Sequence, residues 1–482
     1  MGIPYTNEMF LSESHSDGTN LYLYNLITGK KTQLVFFSDS RFNAMGYNPI
    51  DNCLYAIRVG SNQIFKIDYN GNSYTINNIG APTGFPVISG VSYNCGVIDN
   101  NGYFYVACAA TISNSNVGKL FCIDLNSSRS TYMHLVNPVN GFSSATTSNY
   151  RIFPLDDYAN QATDLALNYT TGELMFITTN GRYLTKCIPT LPVTSSNPRE
   201  YPVTNLPNLY PLYSSFGAQI CDSLGRMYVL ANLDGRLYRI DNTSINQYKG
   251  TLISYTGIIS TSNDGAINNR IEIEMDFGDA PDLGEGNGPG NYKTLMERDG
   301  PRHQINRTEP LYLGLTATSE LDAYQNSTAT GDDQALNIQD DGISGQVPAI
   351  IRGESTYSID VIVTNETQVA AYLYGWVDFD VNGIFAVREL MDNGPIIIPQ
   401  GTGPIVVNIK WTIPASNQTV LNNNEHTFLR LRLTTDSVFI NQSIPSNTSL
   451  EDPRTVGAAN TGEVEDFIIM IQEPQIRGVL FI

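Results

Sequence analysis

The chain has 482 residues, 41% of them hydrophobic, with 28 Tyr, 19 Phe, 40 Gly and 24 Pro; it can fill more than one core and punctuate each with turns. Its 27 basic residues stand against 47 acidic ones, a formal charge of −20 that opposes contact with nucleic-acid phosphates or anionic lipid and favours cations or neutral surfaces as partners. Charged residues make up only 15% of the chain, so the acidity is clustered, beginning near Glu272.

The first residues, Met1 to Glu8, have neither the basic start nor the apolar stretch of a secretory signal, and no later run approaches the ~18 apolar residues of a membrane span. Membrane insertion is therefore not expected, and the export route stays open. From there to about residue 270 the chain repeats itself. Cys53-Leu-Tyr-Ala-Ile is followed by Ile64-Phe-Lys-Ile-Asp68, Tyr103-Phe-Tyr-Val-Ala by Leu120-Phe-Cys-Ile-Asp124, Glu173-Leu-Met-Phe-Ile by Tyr183-Leu-Thr-Lys-Cys187, and Met227-Tyr-Val-Leu by Leu237-Tyr-Arg-Ile-Asp241. A period of roughly 40 to 60 residues with about four strands per unit is that of β-propeller blades. Leu21 to Asn25 and Thr28 to Gln33 read as the end of a blade without its opening strand, and Ser262-Asn-Asp-Gly-Ala-Ile-Asn-Asn269 reads as that strand. Joined in one sheet they close the ring and leave no free edge, which predicts about five blades over residues 1–270. All six Cys, Cys53, Cys95, Cys108, Cys122, Cys187 and Cys221, lie here, mostly inside strand-like runs; they read as buried free thiols, although the redox compartment stays open. Gly46-Tyr-Asn-Pro-Ile-Asp-Asn-Cys-Leu-Tyr-Ala-Ile and Ser262-Asn-Asp-Gly-Ala also resemble a propeller-like domain of unknown function in bacterial secreted proteins.

From residue 276 the wording changes to Asp276-Phe-Gly-Asp-Ala-Pro-Asp282, Gly300-Pro-Arg-His303, Ala329-Thr-Gly-Asp-Asp333 and Asp340-Asp-Gly342, an acidic connecting segment over residues 271–345 that is expected to pack on the next domain. Residues 346–475 contain strand-like runs. In Phe428-Leu-Arg-Leu-Arg-Leu-Thr434, Leu429, Leu431 and Leu433 alternate with Arg430 and Arg432, a pattern predicting one packed and one wet face. Ser358 to Thr364 and Pro404 to Trp411 have similar character, and a β-sandwich is the expected fold. The chain as a whole is thus expected to be all-β. Trp376-Val-Asp-Phe-Asp-Val-Asn-Gly-Ile-Phe385, the Phe428 strand and Gly462-Glu-Val-Glu-Asp-Phe467 resemble, in order, the landmarks of GEVED domains of bacterial surface proteins, with Phe467 where Tyr is usual. Residues 476–482 form a short apolar tail, read as a strand that pairs with a sheet edge of its own domain or of a neighbouring subunit.

Asp378-x-Asp380-x-Asn382-Gly383, with Glu389 five residues further on from Ile384, fits a twelve-residue calcium loop. It places oxygens at alternate positions, a Gly at the bend, the main-chain carbonyl of Ile384 and a closing carboxylate, as a hard cation needs. Strand-like flanks make it a loop within a β-hairpin. A hairpin turn alone would account for Asn382-Gly383 but not for the acids around it. A second acidic group, drawn from Asp276, Asp279, Asp332, Asp333, Asp340 and Asp341, could bind another calcium or stay a solvated loop; Glu463, Glu465 and Asp466 could complete a site or cap the last strand.

Catalysis is not expected. The four His, His15, His134, His303 and His426, form no zinc motif, and there is no nucleophile elbow, phosphate-binding Gly-rich loop or Cys-x-x-Cys pair. The reading is an extracellular or cell-surface structural or adhesive protein, with the propeller as binding face and a calcium-stiffened sandwich as stalk or assembly module. Its partners would be other surface or matrix proteins, glycans or copies of itself. The rivals are a lectin-like carbohydrate binder and a propeller glycoside hydrolase. Ligand, oligomeric state and exact blade number are not readable from the residues.

Overall fold

The repeated runs pair as antiparallel strands, because each alternates side chains between two packed faces and ends in a polar turn. The computed structural model describes residues 2–3, 8–87, 92–107, 119–136, 150–151, 162–178, 181–187, 199–206, 216–232, 234–257, 262–284, 290–331, 342–343 and 345–474. They divide into two units, Met1–Glu272 and Ile273–Ile482. Both are built of β-sheet, and no helix among the described residues is long and apolar enough to cross a membrane.

The first unit is a β-propeller with five blades of four strands among the described residues. The innermost strands are Phe42–Asn48, Cys95–Ile98, Ala166–Asn168, Phe216–Cys221 and Asn263–Ala266. The last of them pairs with Met9–Ser14 in the register Phe10↔Ala266 to Glu13↔Asn263, so one blade is shared between the two ends of the repeat region and the ring is closed. Two blades are also joined at their rims, where Arg199–Thr204 runs parallel to Gln247–Tyr255 through Val203↔Tyr248 and Thr204↔Lys249. The cores lie between blades: Ile57, Phe104, Phe121 and Ile123 fill one such layer, and Phe10, Leu54, Phe65 and Ala266 another. Every inner strand leads into the same turn. The side-chain oxygens of Asn48, Asp99, Asn168, Asp222 and Asn268 accept from the N–H two residues on, at 2.9–3.1 Å. Neighbouring inner strands approach so closely that a Cβ at Gly96 would lie 2.5 Å from the carbonyl carbon of Ala44. Cys53, Cys95, Cys122 and Cys221 are free and buried.

The second unit is a β-sandwich. Leu311–Leu313, Thr356–Asn365 and Thr402–Thr412 form one sheet; Ile350–Ile351, Glu463–Gln472, His426–Thr434, Ala371–Val377 and Ile396–Ile398 form the other. Leu313, Val361, Val363, Leu373, Leu429, Leu431, Leu433 and Ile469 are all fully buried between them. The expected wet face of the Phe428 strand is not wet: Arg430 and Arg432 are each 0% exposed. Tyr292 of the acidic segment, Phe385 of the loop after Ala371–Val377 and Phe439 of the loop before the last strand cover that face, so the guanidinium groups find their partners inside. Arg430 grips Asp466 through two bonds of 2.7 Å and lies 4.9 Å from the centre of the Phe385 ring. Arg432 donates to the carbonyls of Arg454, Val456 and Gly457 at 2.9–3.0 Å and, through Nε, to Nε2 of His303 at 2.9 Å. His303 is thereby kept in the tautomer whose Nδ1–H donates to the Thr461 carbonyl at 2.9 Å. The tail strand expected at residues 476–482 lies outside the described residues.

A fragment of residues 1–272 should be soluble and melt cooperatively, whereas one ending at residue 255 lacks the closing strand, exposes two sheet edges and should aggregate. Light scattering checks this, and a soluble, cooperative shorter fragment would refute the closure. In the second unit, burial and the Arg432 charge hold the His303 imidazole well below its usual range. The unfolded chain takes up this proton below about pH 6.5 and the folded chain does not, so stability falls as pH drops through that point, by up to about tenfold in the unfolding equilibrium per pH unit. Both tryptophans, Trp376 and Trp411, lie in this unit. Urea unfolding followed by their fluorescence should show His303→Gln flattening the acid slope, and an unchanged slope would locate the proton elsewhere.

Candidate metal centre

The loop after Ala371–Val377 is held by main-chain bonds before any side chain is considered: Asp378 N–H donates to the Phe428 carbonyl at 3.1 Å, and Glu389 N–H to Ala386 at 3.0 Å. These anchors place Asp378 and Glu389 at the two ends of a loop whose bend runs through Val381 and Gly383, at φ +50° and +83°. Gly383 adopts that conformation freely, but Val381, being β-branched, is strained there; such strain is tolerated where the surroundings over-determine the backbone.

Asp378, Asp380 and Glu389 each contribute a carboxylate oxygen to a group whose atoms all lie within 4.8 Å of one another. Asp378 and Glu389 are fully buried. Asp378 accepts from Tyr292 Oη and Gly383 N, both at 2.9 Å, and from Asn382 N at 3.1 Å. Glu389 accepts from Phe379 N at 3.0 Å and Ala386 N at 2.8 Å. Asp380 meets Arg388 through Oδ2, while its buried Oδ1 meets no donor. Asn382 Oδ1 closes a turn on Ile384 N at 3.0 Å and keeps a second lone pair. Burial pushes the Asp378 carboxyl up to about 7, and burial together with the Asp378 charge raises Glu389 well above its ordinary value. The set offers hard oxygens and excess negative charge, which matches the chemistry of calcium.

The acids expected to form a second group are distributed differently. Asp276 lies with Glu463 and Glu465 of the last strand, all three buried and with ligand atoms within 4.8 Å of one another. Asp276 Oδ2 also accepts from Val464 N at 2.6 Å, and Glu463 from Leu313 N. Among the described residues Asp279 is not in this group; it is buried and accepts from Gly331 N. Asp332, Asp333, Asp340 and Asp341 lie outside the described residues. Asp466, beside Glu465, holds Arg430 and accepts from Ala280 N at 2.8 Å. Sequence reasoning missed Tyr292, which reaches Asp378 from 86 residues away. No local spacing signals such a contact.

A family model described as "Repeat of unknown function (DUF6923)" matches residues 10–269, more than half of the chain, and the GEVED domain matches residues 372–470. Among solved structures, a chain of a nidogen/laminin complex is similar at 10% identity, covering 54% of this chain and 98% of that chain with a TM-score of 0.31. A Bacteroides thetaiotaomicron protein of unknown function is similar at 10% identity over 48% of this chain and 55% of that one, with a TM-score of 0.30. A luciferin-regenerating enzyme is similar at 14% identity over 53% and 75%, with a TM-score of 0.31. No curated protein matches.

Tyr292→Phe removes one donor to a buried carboxylate and keeps the ring packing against Phe385 and Phe428. It should destabilise the second unit by about 1.5–3 kcal/mol, the usual range for a bond to a charged group. Urea titration on tryptophan fluorescence measures it, and a loss below about 0.5 kcal/mol would mean that Asp378 is neutral or otherwise satisfied.

Proposed function

We propose, for a chain that belongs to the family described as "Repeat of unknown function (DUF6923)" and carries a GEVED domain, a non-catalytic role as an extracellular surface or matrix protein. In this reading the propeller offers the binding face, and the sandwich is a stalk or assembly module stiffened by calcium in the loop from Asp378 to Glu389. The observation that carries it is the converging carboxylate set of buried Asp378 and Glu389 with half-buried Asp380, one of whose oxygens is buried and meets no donor. A buried polar group without a partner costs about 1–3 kcal/mol, more when charged, and an ion ligated there removes that cost. Asp378, Asp380, Asn382 through its free lone pair, Glu389 and the Ile384 carbonyl would hold the ion; its charge would lock the hairpin to the sheet. Asp276, Glu463 and Glu465 are proposed as a second calcium position. Partners of the propeller face would be other surface proteins, glycans or further copies of the chain.

The test compares thermal unfolding of the full chain in millimolar calcium and in chelator. Calcium should raise the transition of the second unit, since an ion that binds the folded state stabilises it by about 2.7 kcal/mol at a hundredfold excess over Kd. The paired change Asp378→Asn with Glu389→Gln should abolish the difference. Equal melting in calcium and chelator for the unaltered chain would reject the site.

A further inference from the structure

The start of the innermost propeller strands holds another buried acidic arrangement, remote in sequence from the carboxylates of the sandwich. Asp164 precedes Ala166–Asn168 and Asp264 lies in Asn263–Ala266; both are 0% exposed, and their carboxyls face each other at hydrogen-bonding range. Their other contacts are main-chain N–H groups. Asp164 accepts from Gln219 and Leu165, both at 2.7 Å, and Asp264 accepts from Met45 at 2.8 Å. These donors and the two acids themselves belong to four of the five blades. Asp264 Oδ1 is buried and meets no donor, which leaves it opposite another acceptor.

We propose that Asp164 and Asp264 share one proton, and that this acid–carboxylate bond is a pH-sensitive clasp on the propeller ring, tightest in an acidic medium. Two carboxylates in contact cannot both stay ionised without a counter-charge, and no Lys, Arg or His among the described residues forms an ion pair with either. A hard cation would need six to eight oxygens, and the other groups here are N–H donors, which repel a cation and suit an anion. Ionisable side chains on the strands packed against the pair are engaged elsewhere. Glu13 lies opposite Asn263, on the other face of its strand from Ser12, which is opposite Asp264, and it pairs with Lys31. Asp99 and Asp222 close the turns at the far ends of their strands; Tyr47 donates to Asn52, and Cys95 and Cys221 are buried thiols. Burial, joined for Asp164 by the Asp264 charge, raises both carboxyls well above the usual carboxylate range.

The sign comes from linkage. The unfolded chain loses this proton near pH 4 and the folded propeller keeps it to higher pH, so stability is fullest below about pH 4 and declines, by up to about tenfold in the opening equilibrium per pH unit, until the pair itself titrates. Hydrogen–deuterium exchange on the full chain, corrected for intrinsic rates, reads this in peptides covering Phe42–Asn48, Phe216–Cys221 and Asn263–Ala266. Protection there should fall with rising pH in the unaltered chain and stay flat in Asp264→Asn, whose amide replaces the protonated acid. Asp164→Asn is the mirror test should the first variant not fold. The infrared difference between the unaltered chain and Asp264→Asn at about pH 6, in which Asp378 and Glu389 cancel, should also show the carbonyl band of a buried protonated acid. Equal slopes in variant and unaltered chain, or absence of that band, would overturn the proposal. So would protection of these peptides at neutral pH that rises with added calcium in the unaltered chain alone, which would make the pair a cation site.

Discussion

An ionised carboxylate can be kept inside a protein only if a counter-charge or several N–H donors replace its water, and both units of this chain are organised around that requirement. The sandwich meets it with Arg430, whose planar fork matches the two oxygens of Asp466. Asp466 in turn accepts from Ala280 N, so one ion pair orders the acidic segment as well as two adjacent strands. Removing either partner would leave the other charged and buried, which is why the pair constrains everything packed over it.

That packing positions the loop. Phe385, next to the bend, lies against Tyr292 at 4.9 Å between ring centres and against the Arg430 guanidinium, while Tyr292 donates to Asp378. The loop therefore rests on a rigid base whose aromatic and charged parts each have a partner. Trp376, at the end of the preceding strand, donates to Asp452, and Asp452 is itself held by Arg454 at 2.6 and 2.9 Å. The alternation of Leu and Arg in the Phe428 strand serves two layers: leucines build the core between the sheets, and arginines build the polar layer beneath the loop.

The propeller answers a different constraint, the unpaired edge. Pairing the strand at the end of the repeat region with the strand at its beginning leaves no inner edge open, and the recurring Asn or Asp turn fixes where each inner strand stops. Close approach of the inner strands is made possible by small residues such as Gly96 and Ala44.

Repeat period, strand alternation and turn chemistry are local, so the all-β class, the closing strand and the sandwich are legible in the order of residues; the ligand spacing of Asp378, Asp380 and Glu389 is also local, and the fold brings those three together. Contacts made by distant segments are not legible there. A polar residue on alternate positions of a strand looks the same whether its face meets water or another layer, so Arg430 and Arg432 read as solvent-facing, and only the fold of the acidic segment over that sheet decided otherwise. Likewise Asp276 found Glu463 and Glu465, and Asp164 found Asp264, across 100 residues or more, because charge and burial act through space and leave no spacing along the chain.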